Sequence, residues 1–265
     1  MRSYLISPLV LLAFDCAPAA VVKTPVSPAP APASAPVATR STWIVPAWNG
    51  GESYTTQQSA RVTSRATGKT VDVPQMEGAI AVVRSEGVAG EASISAQDKS
   101  GTRVAAEVVG GIVHFTQPSS YSACDAHQAA LRAELLDLSL SLPGALAPRL
   151  SWTDSTEMET CLSDMPGGAV ITRRFEVTGD TLVAGERAVV VERSDSIVAS
   201  GAGAVDRHTT TLSAGGSARA RVYISVASGR ILLVDKTAYL NISATSPGRS
   251  DSFVELARTR LEVVR

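Results

Sequence analysis

The sequence predicts a mainly β (α+β) protein, built as a curved antiparallel sheet or half-barrel with one amphipathic helix packed on it. Three observations lead to this fold class. Runs rich in Val and Ile alternate polar with apolar residues along the chain, and turn-forming residues separate them. The clearest run, residues 170–198, folds back on itself around Gly179 and Asp180, with a further turn residue at Gly185. One stretch, residues 123–142, has helical periodicity instead.

Length and composition limit the number of domains and the kinds of partner that the chain could bind. The chain has 265 residues, of which 45% are apolar and 18% charged, and its formal net charge is −1. This is enough to bury a core in one domain of roughly 220 residues or two of about 100. A nearly neutral surface gives no electrostatic reason to expect nucleic acid or an anionic membrane surface as partner. We therefore expect no nucleic-acid partner.

Residues 1–20 have the order of parts found in secretory signal peptides. Arg2 is followed by an apolar run from Tyr4 to Phe14, and small residues come after it. The run is too short to span a bilayer, which takes about 20 apolar residues. The chain is thus expected to be exported, to the periplasm or to the outer membrane as an anchored lipoprotein, with a secreted form as the alternative.

Cys16 lies where the apolar run ends, at the place of the lipidated cysteine in bacterial lipoproteins. That pattern has Leu, a small residue and then Gly or Ala before the cysteine, whereas this chain has Ala13, Phe14 and Asp15. Two alternatives stay open: lipidation of Cys16, or cleavage after Ala19. Membrane contact is expected only through such an N-terminal lipid anchor.

Residues 21–41 form a Pro/Ala-rich segment, "VVKTPVSPAPAPASAPVATRS". Alternating Pro and Ala keep a backbone extended and provide little side chain to pack. The segment is predicted to be a semi-rigid tether that precedes a single β-rich domain, residues 42–265. A Pro-rich recognition ligand is the alternative, but no Arg-flanked PxxP motif supports it.

The first part of the domain is predicted to be β. Trp43 and Trp48 flank Pro46 in an opening strand and turn whose indoles pack under the sheet. Four candidate strands follow, separated by three Gly-containing turns at Gly68, Gly87 and Gly101. They are residues 53–65, 79–85, 90–97 and 102–116.

The predicted helix, residues 123–142, carries one apolar stripe of leucines at spacings of four, three and four. Ser122 or Asp125 can cap its start, and Pro143 ends it. The stripe is made by Leu131, Leu135, Leu138 and Leu142. Because an apolar stripe must be covered, we expect the helix to lie across the sheet.

After the helix the strand pattern resumes and continues to the end of the chain. In residues 217–227 one face is apolar and the other polar, and a turn at Gly229 leads into the next strand. Besides the hairpin in residues 170–198, the predicted strands are residues 206–213, 217–227, 230–245 and 252–264. Long antiparallel strands joined by short turns predict a curved sheet or half-barrel.

This order of parts, with the phrases "VTGDTLVAGERAVVVER" and "SGRILLVDKTAYL" (residues 177–193 and 228–240), resembles the bacterial envelope β-proteins grouped around the lipoprotein-carrier (LolA/LolB-like) half-barrel. The resemblance covers the layout of residues 42–265. It implies a half-barrel whose function lies in an apolar concavity rather than in a motif. No functional residue of that family is therefore carried over.

Cys124 and Cys161 are predicted to form a disulfide, because an exported chain meets an oxidising compartment and two cysteines remain beside Cys16. The chain-entropy model gives such a bridge roughly 4 kcal/mol of stabilisation. Two separate thiols are the alternative. Neither cysteine belongs to a CxxC motif or has a histidine at ligand spacing, so we expect no metal site.

No pattern in the sequence indicates catalysis or a cofactor. The three histidines are His114, His127 and His208, but the chain has neither a Gly-x-Ser-x-Gly elbow nor a His-Glu-x-x-His motif. Acidic residues between 154 and 164, in a segment predicted to be a loop, lack the Gly-bearing periodicity of calcium loops. We therefore expect a protein that is not an enzyme and has no cofactor.

Two functions remain. In the first, the inner face of a half-barrel binds a lipid or other apolar ligand, because small aliphatic side chains dominate that face. In the second, the chain is a structural or protein-interaction module of the envelope with no small-molecule ligand. The residues predicted to line the ligand site are Val189, Val191, Val222, Ile224, Leu232 and Val234.

Overall fold

A computed structural model describes residues 42–264, except 87–90, 111, 117–125, 163–164 and 206–207. Residues 1–41, with the predicted signal, Cys16 and the tether, lie outside this part. Within it the chain is mostly β, with one short helix between the fifth and sixth of eleven strands. In chain order they are β1 (Gly50–Ser64), β2 (Thr70–Glu86), β3 (Ala92–Asp98), β4 (Arg103–Val109), β5 (Ile112–Thr116), α1 (Ala126–Leu138), β6 (Ser151–Leu162), β7 (Met165–Val183), β8 (Glu186–Val205), β9 (His208–Ser225), β10 (Ile231–Ser246) and β11 (Arg249–Val263).

The strands close into a barrel, which goes beyond the predicted half-barrel. Closure comes from pairing of the chain's first and last strands, β1 with β11, which runs from Tyr54 opposite Val263 to Ser64 opposite Phe253. This pairing joins residues about 200 positions apart, so no local sequence pattern predicts it. The mainly β class of the prediction is confirmed.

One parallel contact follows from the odd number of strands in the ring. Strand directions alternate around an antiparallel ring, so eleven strands close only if two neighbours run the same way. Those neighbours are β5 and β6, which pair in parallel over Ile112 to His114. A parallel pair needs a crossover connection, and α1 lies in it.

The helix lies inside the barrel instead of across an open sheet. It contacts β3, β4 and β6 on one side of the barrel and β10 on the other. Leu131, Leu135 and Leu138 are buried as the stripe predicts, but so are Arg132 and Asp137 on the polar side. From Glu134 to Leu138 every residue of the helix is buried, whereas Ala133 is exposed. Burial around the whole of this last turn indicates a helix that fills a lumen, because a sheet could cover only one face.

A level of small side chains in the wall leaves room for the helix. Ala218, Ala238, Ala257 and Ala60 are registered neighbours on β9, β10, β11 and β1. Inward-facing alanines on four adjacent strands widen the lumen at this level, since each side chain extends only one carbon from the wall.

The opening segment closes one end of the barrel. Trp43 pairs with Leu146 through backbone hydrogen bonds, and both residues are buried. Trp48 packs edge-on against Tyr54, with 6.2 Å between ring centroids. Gly229 in the β9–β10 turn lies so close to Pro46 that a Cβ there would be 1.8 Å from its carbonyl oxygen. The predicted burial of both indoles is confirmed, at the barrel end rather than under a sheet.

The hairpin of residues 170–198 is present, but its turn is displaced. The chain reverses at Ala184 and Gly185, which both have positive φ (46° and 86°), as a two-residue hairpin turn of the primed type requires. Gly179 instead marks a β-bulge in β7, where the register with β8 shifts after Val177. The predicted corner at Gly179 and Asp180 was therefore wrong by about five residues.

Two further predicted stretches differ from the observed strands. The stretch 102–116 is two strands, β4 and β5, because Gly110 turns the chain between them with φ 58°. Residues 206–213 and 217–227 belong to one strand, β9, because Gly215 and Gly216 stay in the ladder. A Cβ on Gly216 would lie 2.0 Å from the Tyr239 carbonyl oxygen, so close strand approach explains this glycine.

Candidate functional site: the helix clamp and the outer surface

The C-terminal end of α1 is fixed by a buried arginine from the wall. Arg173 on β7 is fully buried and donates to the carbonyl oxygens of Leu136 and Ser139, the latter at 2.7 Å. It also binds both carboxylate oxygens of Asp154 on β6, at 2.7 and 2.6 Å. The positive charge satisfies helix-end carbonyls and complements the helix dipole.

A second ion cluster holds the last turn of the helix. Arg193 on β8 donates to Asp137 at 2.6 Å, and Lys236 on β10 binds the other oxygen of the same carboxylate. Burial disfavours the charged form of Asp137, but the two cations outweigh it and keep its pKa below the usual range. Burial raises the pKa of Asp195, which accepts a 3.0 Å hydrogen bond from Arg193. We call Arg173, Asp154, Arg193, Asp137 and Lys236 the helix clamp.

Two more wall residues bind the helix region. Gln58 on β1 donates to Glu134 at 2.7 Å, and Arg84 on β2 donates to the Leu140 carbonyl oxygen at 3.2 Å. Burial raises the pKa of Glu134 to about 7, although hydrogen bonds from Thr56 and Gln58 oppose this. In these contacts five strands bind α1 and the residues after it directly, and β6 does so through Arg173. The three cations of the clamp face its two carboxylates and that of Asp195. Buried ion pairs and hydrogen bonds of this kind are typical of a rigid structural scaffold.

The six residues predicted to line a ligand site all face the interior. Val191, Val222 and Val234 are registered neighbours on β8, β9 and β10, and Val189 lies opposite Ile224 one level away. With Leu232 they have at most 1% of their surface exposed and belong to one continuous core with the tryptophans and leucines. Neither of the two surface cavities described below is lined by any of them.

The candidate catalytic and metal-binding residues do not converge. His114 is exposed on β5, and the side chains of His127 and His208 lie outside the described residues. The acidic segment predicted to be a loop is strand β6 up to Leu162; Asp154 points inward to Arg173. No group of three His, Cys, Asp or Glu side chains in the described part of the chain could hold a metal ion.

Cys161 is buried near the end of β6 and is disulfide-bonded. Cys124 and Cys16 lie outside the described residues. The pairing of Cys161 with Cys124 therefore stays a prediction.

An uncharged area covers part of the outer surface. On β7 to β10 most outward positions in the half of the barrel near the β8–β9 connection carry small, hydroxyl or apolar side chains. Asn241 on β10, registered with Gly215, instead carries an amide that accepts a hydrogen bond from Arg65. Registered rows cross the four strands, for example Val170, Val198 and Gly215, or Thr172, Ser196 and Ser217. We call this set the neutral face: Val170, Thr172, Ser196, Val198, Ser200, Thr211, Ser213, Gly215, Ser217, Tyr239, Ser243 and Thr245.

A cavity of about 410 Å³ borders the neutral face. Val170, Val198 and Ser200 line its outer side, while Met158 and Arg132 line its inner side. It lies where β5 has ended at Thr116 but β6 continues to Leu162.

A second cavity, of about 460 Å³, lies on the outer surface near the other end of the same strands. Its floor is an apolar row of registered neighbours, Val190 on β8, Tyr223 on β9 and Leu233 on β10. Leu182, 69% exposed, projects from the end of the β7–β8 hairpin beyond the bulge. We call this cavity the hairpin groove; Thr178, Thr181, Val183, Glu192 and Arg221 complete its lining.

No helix in the described part of the chain combines the length and apolar character needed to cross a membrane. The chain was also compared with known proteins. No family model, no curated protein and no solved structure matches it.

Proposed function

We propose that this protein is an exported, non-catalytic interaction module of the cell envelope, which binds another envelope protein through the neutral face. The observation that carries the proposal is the absence of charge from these twelve described outward positions. The next rows towards the hairpin groove are charged, with Arg174 and Arg219 in one and Glu192 and Arg221 in the other.

The neutral face shares two features with the centre of a protein interface, the lack of charge and an exposed tyrosine. Interface cores are depleted in Lys, Glu and Asp and enriched in aromatic residues such as Tyr; they are also depleted in Ser, of which the neutral face has five. Tyr239, Val170 and Val198 expose 45%, 46% and 61% of their surfaces. The serines and Gly215 between them let a partner's backbone approach closely, because little side chain stands above the strands.

The filled lumen supports surface binding over storage of an apolar ligand. A ligand that contacts Val191 or Val222 would have to displace other residues of the continuous core to which both belong. The helix clamp opposes displacement of α1 in particular, because removal of the helix separates Asp137 from Arg193 and Lys236. Leaving a buried charge without its partner costs about 3–5 kcal/mol.

Export rests on residues 1–20, and residues 21–41 join the barrel to the cleavage site or lipid anchor. An interaction module on a tether reaches partners in the envelope without contacting the membrane itself. The predicted resemblance to lipoprotein carriers would then concern layout and compartment.

The test uses a photo-crosslinking amino acid in the protein expressed in an exporting host. We expect an adduct of defined mass from position 198. Position 83 is the control: Val83 is similarly exposed (56%) but lies on β2, across the barrel from the neutral face, so we expect no adduct there. Val170→Asp should abolish the adduct from position 198. The same adduct from both positions, or none from position 198, would refute the proposal.

Native mass spectrometry of the same purified protein tests the alternative. A bare protein mass agrees with surface binding. An acyl species at about one per chain, lost on Val222→Asp in a variant that still folds, would refute the proposal and establish a carrier.

A further inference from the structure

We propose that the hairpin groove is the docking site of this chain's own Pro/Ala-rich segment, residues 21–41, bound as an extended polyproline-type strand. The proposal is independent of the neutral face and adds an intramolecular contact to it. It rests on the chemistry of the groove, on the place where the domain begins, and on the reach of the segment.

The chemistry of the groove suits a proline-rich strand. Polyproline helices carry no internal hydrogen bonds and bind in apolar grooves that contain aromatic side chains. Tyr223, Leu233 and Val190 supply such a floor on three adjacent strands, and Leu182 forms one wall. A proline-rich strand offers mainly carbonyl acceptors, and the hydroxyls of Thr181 and Tyr223 can donate to them.

The domain begins at the same end of the barrel as the groove. Trp43 is fixed to Leu146 at this end, and Pro46 contacts Gly229 in the turn that joins β9 to β10. Leu233 lies four residues beyond Gly229, which is about 13 Å along a strand.

The segment is long enough to reach the groove. Three residues separate Trp43 from Pro46, which adds at most roughly 10 Å of chain. The distance to cover is the sum of this length and the roughly 13 Å from Gly229 to Leu233. A polyproline strand advances about 3.1 Å per residue, so eight of the 21 residues span that distance and the rest can lie in the groove. For a groove with an apolar floor this near the segment, the effective concentration of the tethered segment is in the millimolar range.

Docking would orient the barrel. The neutral face lies on the same strands as the groove, but Val170 is twelve residues from Leu182 along β7. With the segment held in the groove, the neutral face points away from the site where the chain is anchored or cleaved.

The experiment measures backbone order of residues 21–41 by ¹⁵N relaxation in the processed full chain. We expect order parameters close to those of the barrel, about 0.85, for the non-proline residues in the groove. Leu182→Asp and Leu233→Asp should lower them below about 0.6. Val198→Asp is the matched control, since Val198 is similarly exposed (61%) but belongs to the neutral face; we expect the segment to stay ordered.

Two results would overturn the proposal. The first is a segment that is as mobile in the unchanged protein as in Leu182→Asp. The second is order that disappears on dilution, which would mean that the groove binds the segment of another copy. Leu182→Asp keeps the barrel testable, because this exposed side chain lies outside the core; unchanged barrel chemical shifts confirm that it folds.

Discussion

The buried charges of the helix clamp dominate the energetics at the scale of single residues. Arg173 and Arg193 are among the largest fully buried side chains, and each has a carboxylate partner. A buried pair contributes little net stability when intact, because desolvation offsets attraction, but removal of one partner is costly. Such pairs therefore specify where α1 sits more than they stabilise the fold.

Asp137→Ala tests this directly. It leaves Arg193 and Lys236 buried without their shared carboxylate, so we expect a loss of about 3–5 kcal/mol in the free energy of unfolding, measured by urea denaturation. Asp72→Ala is the control, because its 2.6 Å pair with Arg61 lies in solvent and should have no measurable effect. Equal effects of the two substitutions would contradict the clamp.

Burial of Glu255 determines the direction in which the free energy of unfolding should change with pH. It is 1% exposed on β11, and burial raises its pKa from 4.5 to about 8. Between pH 4.5 and 8 the unfolded chain loses the proton while the folded chain keeps it, so stability falls as pH rises, by at most about 1.4 kcal/mol per pH unit. The loss of stability caused by ionisation of Glu255 is absent below pH 4.5 and constant above pH 8.

Glu255→Gln should remove most of this slope. Urea titrations at several pH values should show the variant gaining stability over the unchanged protein as pH rises, with the difference smallest at pH 4.5. Glu134, whose pKa is raised to about 7, adds a fall of the same sign that persists in the variant. A constant difference across this range would contradict the assignment.

At the scale of elements, α1 has 13 residues and is too short to be stable alone. Its stability comes from the lumen, and the lumen has room for it where alanines face inward on β9, β10, β11 and β1. Element packing, rather than helix propensity, decides whether this helix exists.

Ala238→Leu tests the fit between helix and wall. The larger side chain enters a packed lumen, so we expect a loss of about 1–3 kcal/mol in the free energy of unfolding. Thr237→Leu is the matched control, because Thr237 is the neighbouring residue of β10 and faces solvent. A loss as large for Thr237→Leu would mean that strand propensity, not lumen packing, limits this position.

The sequence predicts features that depend on local pattern and misses those that depend on distant pairing. Alternation correctly places Val191, Val222 and Val234 on the inner face. Leucine spacing correctly indicates α1, but the helix ends at Leu138 and not at the predicted residue 142. The polar side of α1 would be solvated on an open sheet, and its burial becomes favourable because Arg193 and Lys236, 56 and 99 residues away, both bind Asp137. Local alternation also cannot distinguish a bulge at Gly179 from a turn, because both use glycine.

The candidate surfaces were harder to predict than the core. Every second residue of a strand faces outward, so Val198 reads as an ordinary member of an alternating run. Its place beside Val170 and Gly215 depends on the registers of three strands. The hairpin groove likewise needs the bulge after Val177 and the register of Tyr223 with Leu233.

At the scale of the whole molecule, the barrel has one short seam. The parallel β5–β6 contact covers three residue pairs, from Ile112 with Ser155 to His114 with Glu157, whereas β8 and β9 pair along nearly their full lengths. Local opening starts where few interactions hold the backbone. We therefore expect amides of β5 to exchange hydrogen faster than those of β8 and β9.

Thr156 joins the two sides of this seam, and its substitution tests where the barrel opens. The buried Thr156 hydroxyl donates to the Val113 carbonyl oxygen at 2.6 Å, so Thr156→Val leaves that acceptor unsatisfied and should cost about 1–3 kcal/mol. Hydrogen exchange should accelerate in β5 and β6 while β8 and β9 keep their protection. Thr172→Val, an exposed change on β7, should leave every strand unaffected. Uniform acceleration around the ring in Thr156→Val would show instead that the barrel opens as one cooperative unit, with the parallel contact no weaker than the antiparallel ladders.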